Sequence, residues 1–275
     1  MMKIGGRALV NGIVLTGERF EVRAVRDGGS GEICVTTKEV SSRDFRIMRR
    51  ALGIPIVRGI LILGKETWGG LKEYWKELIV FTFFMDLVEK VLGFLVGGGV
   101  ASVFSVLLLL GGVFGVRALF RGGVSEKVLF LREKGFLKKV YSVLKYHGAE
   151  HKVIGFYGAT GEGCDDTQEV RSYSRISASC GSHFVVIYLL VSMVLGLVIG
   201  GVNSVLVQVV GALFAVGVSY EVFLLSKERF PVLAAGGAFV QEWFVTVEPG
   251  VEEIEVGVAA LNALLENENH HSLRS

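Results

Sequence analysis

Apolar positions along this chain follow three different rhythms. Between residues 7 and 38, Val22, Ala24 and the Ile33-Cys34-Val35 run alternate with charged or polar neighbours, and Asp27-Gly28-Gly29-Ser30-Gly31 separates them. Period-two alternation around a glycine-rich turn predicts a small antiparallel hairpin or meander. At 78–120 and 184–225 the apolar residues instead run nearly unbroken, and each run can supply two passes of about 20 residues. Gly97-Gly98-Gly99 divides the first run into 78–96 and 100–120, and Gly200-Gly201-Val202-Asn203 divides the second into 184–199 and 204–225. Residues 43–60 begin basic and turn apolar around Ile54-Pro55-Ile56-Val57; this stretch is too short to span and predicts an interfacial or buried segment. Trp68, Tyr74 and Trp75 precede the first long run, where an aromatic belt belongs. After Pro249-Gly250, the residues Val251, Ile254, Val258, Leu261 and Leu265 recur at helical spacing, which predicts a half-buried helix.

Charge orients the apolar runs. The connectors inside each run carry no Lys or Arg, whereas 117–152 carries Arg117, Arg121, Lys127, Arg132, Lys134, Lys138, Lys139, Lys145 and Lys152. The N-terminal segment is also basic as far as Lys76. The positive-inside rule then places both termini and the central segment in the cytoplasm, an arrangement that four passes satisfy. Asp86, Glu89 and Lys90 weaken the first pass, since charge within a bilayer is costly. The predicted fold is thus a mostly α-helical multi-pass membrane protein with a small N-terminal β element and about four transmembrane helices in two hairpins. Its expected divisions are a cytoplasmic β/amphipathic region (1–76), a first hairpin (77–120), a cytoplasmic helix and loop (121–183), a second hairpin (184–225) and a cytoplasmic helical region (226–275). The expected location is the cell membrane, with the lipid bilayer as partner.

Composition narrows the function classes. Half of the 275 residues are hydrophobic and the net charge is +2, with no basic face interleaved with aromatics, so nucleic acid is not an expected partner. No apolar run followed by a small-residue cleavage site opens the chain, so no secretory signal is read there. Three cysteines, Cys34, Cys164 and Cys180, do not make a disulfide framework. Thirty-seven glycines favour close helix packing and a homo-oligomer. Asp86, Glu89 and Glu221 lie in or near apolar segments, but no inverted repeat accompanies them, and a transporter is disfavoured.

The candidate chemistry lies in 134–156. Phe136, Val140, Val143, His147, Glu150, His151 and Ile154 share one helix face, so a stripe that should be apolar becomes polar for one turn. Burying two imidazoles and a carboxylate without partners would cost several kcal/mol, on the order of the penalty for unpaired polar groups, and a metal ion offsets it. His-x-x-Glu-His is the inverzincin pattern, in which the histidines bind zinc and the glutamate holds and deprotonates a metal-bound water. On this reading His147 and His151 are ligands of a divalent metal, with zinc the best fit, and Glu150 is the catalytic base. The bland alternative is a histidine pair hydrogen-bonded within a packing face. Cys180 and His183, in the Ser177–His183 turn, are candidates to complete the shell. A closed set of His147, His151, Cys164 and Cys180 would instead make a structural site in a non-catalytic membrane scaffold. The tail histidines His270 and His271 carry little weight as ligands.

The run Lys145-Tyr146-His147-Gly148-Ala149-Glu150-His151-Lys152, with Cys180-Gly181-Ser182 some thirty residues later, resembles the YqhQ family of membrane proteins. Ile4-Gly5-Gly6-Arg7-Ala8-Leu9-Val10-Asn11-Gly12-Ile13 is similar to that family's glycine-rich opening. Ile54-Pro55-Ile56-Val57-Arg58-Gly59 is similar to its proline-arginine-glycine segment, and Thr246-Val247-Glu248-Pro249 to its C-terminal part. The resemblance implies a metal-dependent enzyme with His147, Glu150, His151 and Cys180 as functional positions. It also marks a departure: the family usually has His-Pro-Arg before its Cys-Gly-Thr, and this chain has Ser177-Ala178-Ser179. Either His183 substitutes for that histidine, or the ligand has been lost.

Overall fold

The computed structural model describes residues 2–40, 53–61, 64, 135–178, 180–199, 204–229 and 231–272. The N-terminal alternation resolves into four strands, β1 (Gly5–Ala8), β2 (Gly12–Thr16), β3 (Phe20–Arg26) and β4 (Ile33–Glu39), in an antiparallel meander of order β1-β2-β3-β4. Register places Ile13 opposite Ala24 and Leu15 opposite Val22, and all four are fully buried. This pairing puts the apolar positions of β2 and β3 on one face. The β3–β4 turn closes where Asp27 Oδ2 accepts from the Ser30 amide (2.8 Å) and hydroxyl (2.9 Å), and where Gly31 takes a positive φ of 74°.

Six helices follow among the described residues: α1 (Gly135–Thr160), α2 (Thr167–Arg171), α3 (Gly181–Ile199), α4 (Val205–Arg229), α5 (Pro231–Val240) and α6 (Val251–Ser272), with a π-helical turn at Gln241–Val245 between α5 and α6. The buried face of the sheet packs on α6 and α1. The periodic stripe of α6 is the reason: Ile254, Val258 and Leu261 are buried, joined by Leu264. From α1, Tyr146, Ala149, Val153 and Phe156 complete this core. Strands and the C-terminal helix together brace the helix that carries the histidine motif.

The expected four-span fold is overturned. Among the described residues one helix contains a stretch long and apolar enough to cross a membrane, Val209–Ser226 of α4. The apolar part of α3, Gly181–Leu195, is shorter; fifteen residues at 1.5 Å rise reach roughly 22 Å, short of a hydrocarbon core of about 30 Å. Here α3 packs against α4 and α5, and Ile187 is buried between elements of the protein. The first expected hairpin, 77–120, lies outside the described residues, as do Asp86, Glu89 and Lys90. Glu221 of α4 is an ion-pair partner: it binds Arg58 through both oxygens and accepts from the Ile56 amide at 3.0 Å. The 54–60 segment is thereby docked on α4.

Candidate metal centre

Helix α1 aims His147, Glu150 and His151 inward from one face. His151 and Glu150 are each 4% exposed, and the two imidazoles meet edge to face at 4.4 Å between centroids. Gly148, between them in sequence, sits where α1 meets the extended segment after the π turn: a Cβ there would lie 2.3 Å from the Val247 carbonyl oxygen. That close approach explains the glycine inside the motif.

Each histidine is fixed by a backbone carbonyl. His147 Nδ1 lies 2.8 Å from Val245 O, and His151 Nδ1 lies 2.7 Å from Arg175 O. A carbonyl only accepts, so both rings carry a proton on Nδ1; a neutral ring keeps the Nε2 lone pair for another partner, and a ring protonated also at Nε2 is a cation beside Cys180 and Glu150. This second-partner arrangement is the one that metal-binding histidines commonly have. Cys180, immediately before α3, brings its Sγ to 3.5 Å from His147 Nε2. The ligand atoms of His147, His151 and Cys180 all fall within 4.8 Å of one another. For the Cys180 thiol, burial acts upward, but a hydrogen bond and charge from His151, together with bonds from Ser182, outweigh it and draw the pKa down. That shift favours thiolate, the form that binds metal.

Glu150 stands outside this ligand group. Its carboxyl packs against β1, where a Cβ on Gly6 would come within 2.6 Å of Oε1, and its Oε2 is buried with no hydrogen-bond partner among the described residues. Desolvation pushes its pKa up to about 7, opposed by the charge of His147. A carboxyl poised there can take or give a proton near neutrality.

The remaining candidates separate. His183 is buried, but its ring lies against Gly237 and its Nδ1 is 3.0 Å from Gln241 Nε2, so it is not in the ligand group. Cys164 is tied into the α6 side of the core: its amide donates to Asn262 Oδ1 (2.9 Å) and its Sγ to Asp166 O (3.0 Å). The closed set of two histidines and two cysteines is not assembled among the described residues. His270 is exposed on α6, near Glu266.

Several supporting residues gave no sequence signal strong enough to single them out. Lys152, 5% exposed at its side chain, donates to Arg171 O (2.8 Å), Tyr173 O (2.6 Å) and Glu248 (2.9 Å). Arg175 Nη1 binds Thr246 Oγ1 at 2.6 Å, and its Nε lies 3.5 Å from Glu248. These contacts hold the loop whose Arg175 carbonyl orients His151. Lys152 directly follows the motif, and a lysine on the inward face of a helix was the available clue.

Comparison with known proteins agrees with the resemblance read from the sequence. Residues 54–267 match the family described as "Protein of unknown function (DUF1385)". A relative from Bacillus subtilis (strain 168), "Uncharacterized protein YqhQ", is 30% identical over 176 residues, covering 60% of this chain and 48% of the relative. The chain therefore spans about half the length of the curated relative it matches. No solved structure matches.

Proposed function

We propose a function for this chain from its site, on the premise that it belongs to DUF1385, a family of proteins of unknown function: it is a metal-dependent hydrolase acting at a membrane face. The observation that carries this reading is the convergence of His147, His151 and Cys180 with both Nδ1 positions already bound to carbonyls. Two imidazoles and a thiolate suit zinc. Held by three protein ligands, zinc would supply Lewis acidity and a coordination position open to substrate. Glu150, outside the ligand group, serves as the general base and carries the proton from the attacking water to the leaving group.

The membrane part of the reading is supported by Val209–Ser226 and by the apolar side chains that α3 and α4 expose, including Leu189, Met193, Val210 and Phe214. Cys180 sits at the start of α3, so a lipid-like substrate or a membrane-bound peptide is the class that fits this location. The basic segment 117–152 favours the cytoplasmic face.

The test is turnover of acyl-ester, peptide and phosphodiester reporters in mixed micelles. The expected result is a rate abolished by chelation, restored by zinc, and lost in Glu150→Gln protein that retains its metal. Equal rates in Glu150→Gln and wild type, or no rate above background with metal-loaded protein, would overturn the hydrolase.

A further inference from the structure

We infer that Gln241, at the start of the π-helical turn, is the positioning residue that holds Cys180 against the two histidines; this rests on the metal-centre reading above. Gln241 is wholly buried, and both ends of its amide are engaged. Oε1 accepts from the Ser177 amide at 2.7 Å, while Nε2 donates to Ser177 O at 2.9 Å and to His183 Nδ1 at 3.0 Å. A planar carboxamide can pair with both the N–H and the C=O of one residue, as a neighbouring strand would, and still donate once more.

The two residues that Gln241 grips are the two that fix the backbone of Cys180. The Cys180 amide donates to Ser177 O at 3.3 Å, and the Cys180 carbonyl accepts from the His183 amide at 3.2 Å. Gln241 therefore holds the cysteine from both sides through Ser177 and His183. None of its bonds can be replaced by solvent at a wholly buried site, so their loss is felt in full.

The same short segment carries the references for both histidines. Val245 closes the π turn, and its carbonyl, one of those a helix end leaves without an internal partner, accepts from His147. Thr246 donates to Gln241 O from its amide at 3.0 Å and from its hydroxyl at 2.8 Å. It also binds Arg175, whose carbonyl orients His151. Residues 241–246 thus form one frame to which all three ligands are referred. Within it, Gln241 sets the position of the sulfur, and Val245 and Thr246 set the nitrogens. π turns of this kind are often found at functional sites.

The experiment compares wild type with Gln241→Met, Cys180→Ser and the double variant in the full chain. Zinc affinity is read by chelator competition, and ligation of sulfur by the thiolate-to-cobalt charge-transfer band of cobalt-loaded protein. Gln241→Met keeps volume but removes all three side-chain bonds. It is expected to weaken zinc by about 10- to 100-fold, the usual cost of losing an outer-shell partner, and to diminish the charge-transfer band. The double variant should bind no more weakly than Cys180→Ser alone, because both changes act on the same ligand. His183→Leu removes the third of Gln241's bonds and leaves the two to Ser177, and should weaken zinc by a smaller factor; it decides the matter should Gln241→Met fail to fold. Wild-type affinity and an unchanged band in both Gln241→Met and His183→Leu would overturn the positioning role while leaving the metal centre standing. A wild-type protein that binds neither zinc nor cobalt would instead remove the metal centre itself.

Discussion

Replacing Glu150 with Gln in metal-free protein gives a stability effect whose size and pH dependence follow from the burial of one carboxyl. Glu150 is 4% exposed, has an unpartnered oxygen, and titrates near 7 in place of its ordinary 4.5. Below pH 4.5 the group is mostly protonated in folded and unfolded chains alike and adds no pH-dependent cost. Between 4.5 and 7 the unfolded chain releases the proton while the folded one retains it, so stability falls as pH rises; above 7 the loss is complete. At about 1.4 kcal/mol per pH unit, the interval from 4.5 to about 7 amounts to roughly 3 kcal/mol. Glutamine does not titrate, and so it removes this slope. Its NH2 group needs a partner in the same site and adds a penalty of about 1–3 kcal/mol, but one independent of pH. The assay is denaturation of both proteins, stripped of metal and in one detergent, from pH 4.5 to 8.5. The stability of Glu150→Gln relative to wild type should climb by roughly 3 kcal/mol across that range. Parallel curves, with a difference that does not change with pH, would show that the carboxyl is not held in the buried environment described.

Three further outcomes follow from the same geometry. Gly148→Ala places a Cβ 2.3 Å from the Val247 carbonyl, which must push α1 away from the segment that orients His147; a loss of about 1–3 kcal/mol in thermal unfolding is expected, together with weaker zinc binding. Lys152→Met leaves the Arg171 and Tyr173 carbonyls without their buried donor and should cost about 1–3 kcal/mol, read by urea denaturation. Cys164→Ser should leave metal content unchanged by elemental analysis, because Cys164 is held by Asn262 and Asp166 away from the ligand group.

The parts of this protein legible in its sequence are those written in local spacing. Alternation marked β3 and β4, three-four spacing marked α6, and the interruption of an apolar stripe by His147, Glu150 and His151 marked the candidate site on α1. The convergence of Cys180 on that helix is a long-range contact with no local pattern; ligand chemistry made Cys180 and His183 equal candidates, and the family resemblance pointed to Cys180. His183 looked equivalent to Cys180 because both occupy one turn, yet the ring is taken up by Gln241, a partner 58 residues away. The π turn at Gln241–Val245 differs from α-helix in the register of its hydrogen bonds, which side-chain periodicity does not encode. The four-span count does not hold among the described residues because hydropathy marks an apolar run without fixing its helical length: Gly181–Leu195 is short, and Val209–Ser226 is the stretch long enough to cross.

The most direct test of the central claim is metal content. Purified wild-type protein and a His147→Ala/His151→Ala double variant, both supplied with zinc and washed gently, would be compared by elemental analysis. About one metal per chain is expected in wild type and none in the variant, the behaviour of a centre whose nitrogen ligands have been removed. Metal-free wild type, or equal metal in both proteins, would contradict it, and the histidine pair would then be a hydrogen-bonded packing face.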